Sequence, residues 1–197
     1  VPGSVRLLLD LLAGGVKLTP GGRLPRTVVR AMQAHRPHWY LLDRPAAIED
    51  DLPPLAALHG LLRGVGLLRL RHGVLTPTRA AGDDLAVVRR LRSAFEPHTF
   101  ATEITELTVG VLAAHGPLAL TALAKGVHEQ LGHGWQRDGR PINVQDVRSA
   151  IAQQSPTMAG LDLIDNTDWQ AWAAGASALT LLPGASMLAE FWTDDGG

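Results

Sequence analysis

The chain of 197 residues contains no cysteine. That excludes a disulfide framework, a thiol nucleophile and thiolate ligation of zinc or an iron–sulfur cluster. Aromatic residues are sparse at 5%, and lysine is rarer still, since 16 of the 18 basic residues are arginine. Net charge is small, −1, and together with 46% apolar residues it rules out a disordered chain. Unbroken apolar runs are missing as well. Two stretches free of Asp, Glu, Lys and Arg, 107–124 and 169–189, approach the length of a membrane span. Gly116-Pro117 breaks the first, and Gly175 and Pro183-Gly184 break the second. Both read as soluble elements joined by turns, so no membrane association is expected. The opening residues lack a basic segment followed by an apolar core and a cleavage site, which points to a cytoplasmic protein. A start on valine rather than methionine suggests a piece of something longer. The wealth of Arg, Ala, Gly and Pro fits a GC-rich bacterial genome.

What is present is organised in two halves. Residues 1–97 carry 14 Lys+Arg against 8 Asp+Glu, a net of +6, and residues 98–197 carry 4 against 11, a net of −7. The length allows two modules of about 95 residues, each large enough for one core. The expected boundary therefore separates a basic module, 1–97, from an acidic one, 98–197.

In the first half, an apolar helix over 5–13 ends at Gly14-Gly15, and a short strand over 16–19 closes at Pro20-Gly21-Gly22. A second helix follows Pro25, with Val28, Val29 and Met32 on one face. Acidic residues 49–51 mark the start of a third helix with the stripe Leu55, Leu58, Leu62 and Val65. His72-Gly73 predicts a two-residue hairpin turn. That register pairs Leu70 with Leu75 on one face, and Arg69 with Thr76 and Arg71 with Val74 on the other. A helix over 84–95 then turns Val88, Leu91 and Phe95 inward and Arg89 and Arg90 outward.

The second half repeats the order. A helix capped by Thr102 runs to His115. Residues 118–120 form a strand, and a helix capped by Thr121 ends at Gly132. A long loop spans 132–142. Asn143, with Asp146 three residues on, predicts a capping box for a third helix carrying Val144, Val147 and Ile151 inward. Strands over 161–165 and 178–182 flank a long tip, and a last helix starts at Ala185. Leu75-Thr76-Pro77 is echoed by the Leu-Thr-Leu-Leu-Pro run at 179–183. The expected fold is mainly α with small β-hairpins: tandem winged-helix, that is helix-turn-helix, modules.

The runs at 8–24 (LLDLLAGGVKLTPGGRL) and 58–77 (LHGLLRGVGLLRLRHGVLTP) resemble the C-terminal region of uncharacterised actinobacterial proteins of the Ri-plasmid ORF-like type. The resemblance covers about the first 95 residues and rests on a strand, a turn and a wing. It implies a winged-helix-like region and brings no catalytic residue with it.

Enzyme chemistry finds no footing. There is no Gly-x-Ser-x-Gly elbow, and neither Lys17 nor Lys125 sits in a phosphate-cradling loop. His35 and His38 are separated by a helix-breaking Pro37, with Asp43 nearby. His128 and His133 stand five apart where a zincin helix needs four. No metal, cofactor or catalytic residue is expected. Two readings stay open. In one, Arg63, Arg69, Arg71, Arg79, Arg89 and Arg90 hold DNA, although the third helix offers bases only His59 and Arg63. Arg69 and Arg71 can equally serve to keep an edge strand from pairing with other chains. In the other, Trp169 and Trp172 on the long tip of the acidic half dock a protein partner or a second copy. Gln145, Arg148, Ser149 and Gln153 are further candidates for base contacts.

Overall fold

The computed structural model describes residues 1–39, 44–96, 98–131, 134–168, 170–182 and 185. The chain is mainly helical with small antiparallel sheets and divides into two compact units, Val1–Ala94 and Phe95–Gly197.

In the first unit, α1 (Gly3–Leu11) buries Val5, Leu8 and Leu9, spaced to share one helical face. Strand β1 (Val16–Lys17) leads to α2 (Arg26–His35), whose Val28, Val29 and Met32 are buried. Arg36, just past its end, donates to the buried Ser4 Oγ through Nε and Nη2 at 3.3 and 3.2 Å, tying α2 to α1. A short 3-10 turn, Glu49–Asp51, precedes α3 (Pro53–Gly64), which opens on Pro-Pro where missing N–H groups cost nothing. Leu55, Leu58 and Leu62 are buried as the periodicity predicts.

Strands β2 (Leu68–Arg71) and β3 (Val74–Pro77) form the expected hairpin, with Arg69 opposite Thr76, Leu70 opposite Leu75 and Arg71 opposite Val74. His72 and Gly73 both have positive φ, 49° and 77°, as a type I′ turn requires. Strand β1 joins on the other side of β3, Val16 opposite Leu75 and Lys17 opposite Val74, so the sheet order is β1-β3-β2. Helix α4 (Asp84–Arg92) is capped by Asp83, whose carboxylate accepts from the Leu85 and Ala86 N–H groups. It buries Val87 and Leu91, while Val88 and Phe95 are only half-buried. The expected Val88–Leu91–Phe95 stripe fails because the helix stops at Arg92, before Phe95 can join it.

In the second unit, α5 (Phe100–His115) starts three residues earlier than expected. Thr99 is the cap, in reciprocal hydrogen bonds with Thr102. Helix α6 (Leu120–Gln130) has no side-chain cap, and the expected strand before it is a single bridge, Leu118 to Trp172. The expected loop after α6 contains a hairpin, β4 (Gln136–Arg137) and β5 (Arg140–Pro141), turned by Asp138 and Gly139 at φ 53° and 76°. Helix α7 (Val144–Gly160) begins with the Asn143–Asp146 capping box. It continues through Pro156, which has no N–H to give Ala152. The Ser155 hydroxyl donates to the Ala152 carbonyl at 2.9 Å instead. Strands β6 (Ile164–Asp165) and β7 (Ala173–Ala174) pair, and α8 (Ala178–Leu181) follows.

Two expectations need correction here. Residues 161–163 form a turn, with Asp162 at φ 53°, and strand begins only at Ile164. The strand expected over 178–182 is helical. Its apolar residues already show why: Ala178, Leu181 and Leu182 are buried and Leu179 and Thr180 exposed, a spacing of three and four rather than two. The echo of Leu75-Thr76-Pro77 thus links a strand in one unit to a helix in the other. The last helix, expected from Ala185, falls almost wholly outside the described residues.

Candidate nucleic-acid interface

The acids of the first unit are largely committed to internal partners. Asp84 pairs with Arg6, Asp50 with Arg23 at 3.0 Å, and Asp83 caps α4. Asp51 accepts from the Ala47 and Ile48 N–H groups, and these bonds hold its carboxyl below the usual range. Glu49 is buried. Its Oε2 accepts from Leu24 N–H at 2.6 Å, and its Oε1 accepts from His59 Nδ1 at 2.8 Å. Since a carboxylate only accepts, Nδ1 carries a proton. His59 is itself buried and lies on the inner side of α3, so it offers nothing to a docked base. That leaves Arg63 as the one exposed charged side chain on α3.

The candidate cations, unlike Arg6 and Arg23, stand apart from those acids. Arg69 and Arg71 are exposed and share the face of the sheet opposite to Leu68 and Leu70. The register adds a cation that sequence reasoning missed: Lys17, Val74 and Arg71 lie in one row across β1, β3 and β2. At about 4.8 Å between strands, Lys17 and Arg71 are roughly 10 Å apart along that row. Gly15 lies against the same face. A Cβ there would meet Thr76 and Val74 side chains at 3.2 Å. Among the described residues, no acid pairs with Lys17, Arg63, Arg69, Arg71, Arg79 or Arg89.

Two of the expected cations, Arg63 and Arg90, meet at the junction of α3 and β2. Arg63 is in the last turn of α3, and Arg90 Nη1 donates to the Val65 and Gly66 carbonyls at 2.9 and 3.0 Å. Thr78, beside Arg79, donates its hydroxyl to Gly66 O. Arg90 therefore closes the α3 C-terminus and is only partly free for another task. Arg89 is exposed on α4, and no hydrogen bond ties it to the other five.

The second unit presents a different arrangement. Three of its four Lys and Arg residues, Arg137, Arg140 and Arg148, lie on the β4–β5 hairpin and the first turns of α7. Asp146, buried at 8% exposure, is the hub. Its Oδ1 accepts from Arg137 Nη1 at 3.1 Å and Arg140 Nη2 at 3.0 Å. Its Oδ2 accepts from Arg140 Nη1 at 2.6 Å and the Asn143 N–H at 3.1 Å. The Arg140 bonds above all, then the Asn143 N–H, hold its carboxyl far below the usual range. Trp135 is fixed beside it, donating Nε1–H to Glu103 Oε2 at 2.6 Å and lying 5.4 Å from the Phe100 ring. Burial pushes the neighbouring Glu106 carboxyl up, and the negative charge of Glu103 adds to the shift. Gln145, Arg148, Ser149 and Gln153 form an exposed strip along α7.

The protein-docking residues fare unevenly. Trp172 is buried, 8% exposed, and exchanges backbone hydrogen bonds with Leu118 at 2.8 and 2.9 Å. It belongs to the core of its unit, which corrects its expected place on an interaction surface. Trp169 lies outside the described residues, as do Asp43 and His133. His128 Nε2 is 3.1 Å from Ile142 O and His35 Nδ1 is 2.9 Å from Ala31 O, both local bonds to backbone. Among the described residues no cluster of three His, Asp or Glu stands ready for a metal ion, and no helix is long and apolar enough to cross a membrane. No protein-family model, no curated protein and no solved structure matches the chain.

Proposed function

We propose that the protein is a pair of winged-helix modules whose basic first unit holds nucleic acid through its sheet face, with little sequence preference. The element order of α1, β1, α2, α3, β2, β3 and the sheet order β1-β3-β2 support the module assignment. In the second unit a similar order runs through α5, the Leu118–Trp172 bridge in the place of the β1–β3 pairing, α6, α7 and the β6–β7 hairpin, with the β4–β5 hairpin inserted between α6 and α7. The observation that carries the reading is the row of unpaired cations on the outer face of the first sheet: Lys17 and Arg71 across Val74, with Arg69 beside them. Such a row answers the charge of a phosphate backbone. The helix α3, apolar but for Arg63, supplies almost nothing to read base edges, so contacts to phosphate dominate and specificity is low. A transcription-associated role is the setting we propose for such binding.

A protein-docking module without nucleic-acid binding is the competing function, but Trp172 is no longer available to anchor it. The test is fluorescence anisotropy of a labelled duplex at low salt. The wild type binds, and the variant Lys17→Ala, Arg69→Ala, Arg71→Ala loses most of that binding while keeping its melting temperature. Wild-type protein that leaves the duplex free at low salt refutes the proposal and favours the docking module.

A further inference from the structure

The second unit holds a cleft of about 470 Å³ between the start of α5, the β4–β5 hairpin and the first turns of α7. We propose that this cleft binds a small aromatic carboxylate, its ring against Trp135 and Phe100 and its carboxylate on Arg137. This site is independent of the nucleic-acid reading.

Each wall contributes a distinct part of the argument. Phe100 and Trp135 supply an aromatic corner, their rings inclined at 58°. The Trp135 N–H is already given to Glu103, so the indole is held in place and offers the cleft only ring surface. The one acid in the lining, Asp146, is saturated. Two donors reach each of its oxygens, which leaves it no capacity for a ligand donor or a cation. Two part-exposed guanidinium groups, Arg137 and Arg140, surround that buried carboxylate. Arg137 is the one of the two that lines the cleft. Nη1 holds Asp146, Nε lies 3.9 Å from the exposed Asp138, and Nη2 makes no hydrogen bond among the described residues.

The remaining polar groups are neutral. Ser149 donates its hydroxyl to Gln145 O and keeps its lone pairs, and the amides of Gln136 and Gln153 complete the rim. An aromatic corner, neutral hydrogen-bonding groups and one cation with a spare donor edge define a ligand with a flat apolar body and a single negative charge. The volume lies within the usual range for small-molecule clefts and accommodates one or two fused rings. A dianion is a poorer match, because Arg137 is the only cation among the described residues that line the cleft.

The probe is naphthalene-2-carboxylate, titrated into the full chain by calorimetry, with naphthalene-2-methanol as its uncharged counterpart. The expected result is saturable one-to-one binding of the acid at or below about 1 mM, with the alcohol at least about tenfold weaker. Arg137→Gln should weaken the acid to the level of the alcohol and leave the alcohol unchanged. Ser149→Phe and, separately, Gln153→Phe change exposed positions of the lining and should abolish binding of both compounds. Circular dichroism melts report whether each variant is folded, so either blocking variant suffices. Absence of saturable binding to wild type overturns the proposal. So does undiminished binding to a folded blocking variant, or equal affinity for acid and alcohol.

Discussion

Replacing Glu49 with alanine should damage the first unit more than its place in a run of three acids suggests. The carboxylate is 1% exposed and takes a hydrogen bond at each oxygen, from Leu24 N–H at 2.6 Å and His59 Nδ1 at 2.8 Å. Glu49→Ala strands both donors in the interior. Each lost partner costs about 1–3 kcal/mol, so the two together cost about 2–6 kcal/mol. For a unit of this size, 1 kcal/mol corresponds to about 4–8 °C, so the melting temperature should fall by about 8 °C or more. Differential scanning calorimetry measures this directly. Glu49→Gln keeps one acceptor but turns an NH2 group toward the second donor, and should fall between wild type and Glu49→Ala. Asp50→Ala removes only the exposed pair with Arg23 and should shift the transition by a few degrees at most. A drop below about 4 °C for Glu49→Ala would refute the reasoning that both donors are left unpaired in the interior.

Asp146 gives a pH prediction of definite sign. Its carboxyl is held down in the folded chain, so its contribution to stability is complete above the ordinary carboxylate range, near pH 4, and is lost as pH falls below it. The gap in melting temperature between wild type and Asp146→Asn should therefore close as pH falls from 6 to 2; a gap independent of pH would contradict the assignment. Gly175→Ala places a Cβ 2.2 Å from the Asp162 carbonyl oxygen and 2.8 Å from Ile164 N, backbone atoms that cannot step aside. It should cost about 1–3 kcal/mol in denaturant titration, whereas Gly21→Ala, with open space around it, should cost far less. Trp172→Ala should cost about 3–5 kcal/mol of stability, with no change in sedimentation velocity of the folded fraction, because the ring lies in the core.

Local signals were readable and non-local ones were not. His72-Gly73 was enough to specify three strand pairs, and Asn143 with Asp146 enough to specify a helix start. The same turn chemistry at Asp138-Gly139 passed unnoticed because its strands are two residues long and polar, with no alternation to reveal them. Pairing between β1 and β3 spans nearly sixty residues, so no local pattern could bring Lys17 to the face of Arg71. Net charge concealed the second candidate site. A half carrying −7 reads as acidic throughout, yet Arg137 and Arg140 close on Asp146 once the hairpin folds back over α7. Glu49 looked like a helix-dipole acid in company with Asp50 and Asp51. Only the packing of α3 shows that it turns inward while its neighbours face solvent or backbone.

The salt dependence of duplex binding tests the central claim most directly. Each phosphate neutralised by the sheet face contributes about 0.9 to the slope of log K against log salt. Removing Lys17, Arg69 and Arg71 together should flatten that slope by roughly 2–3 units, equally for unrelated duplex sequences. A slope unchanged by the three substitutions, or no wild-type binding to compare, would contradict the assignment of nucleic-acid binding to this face.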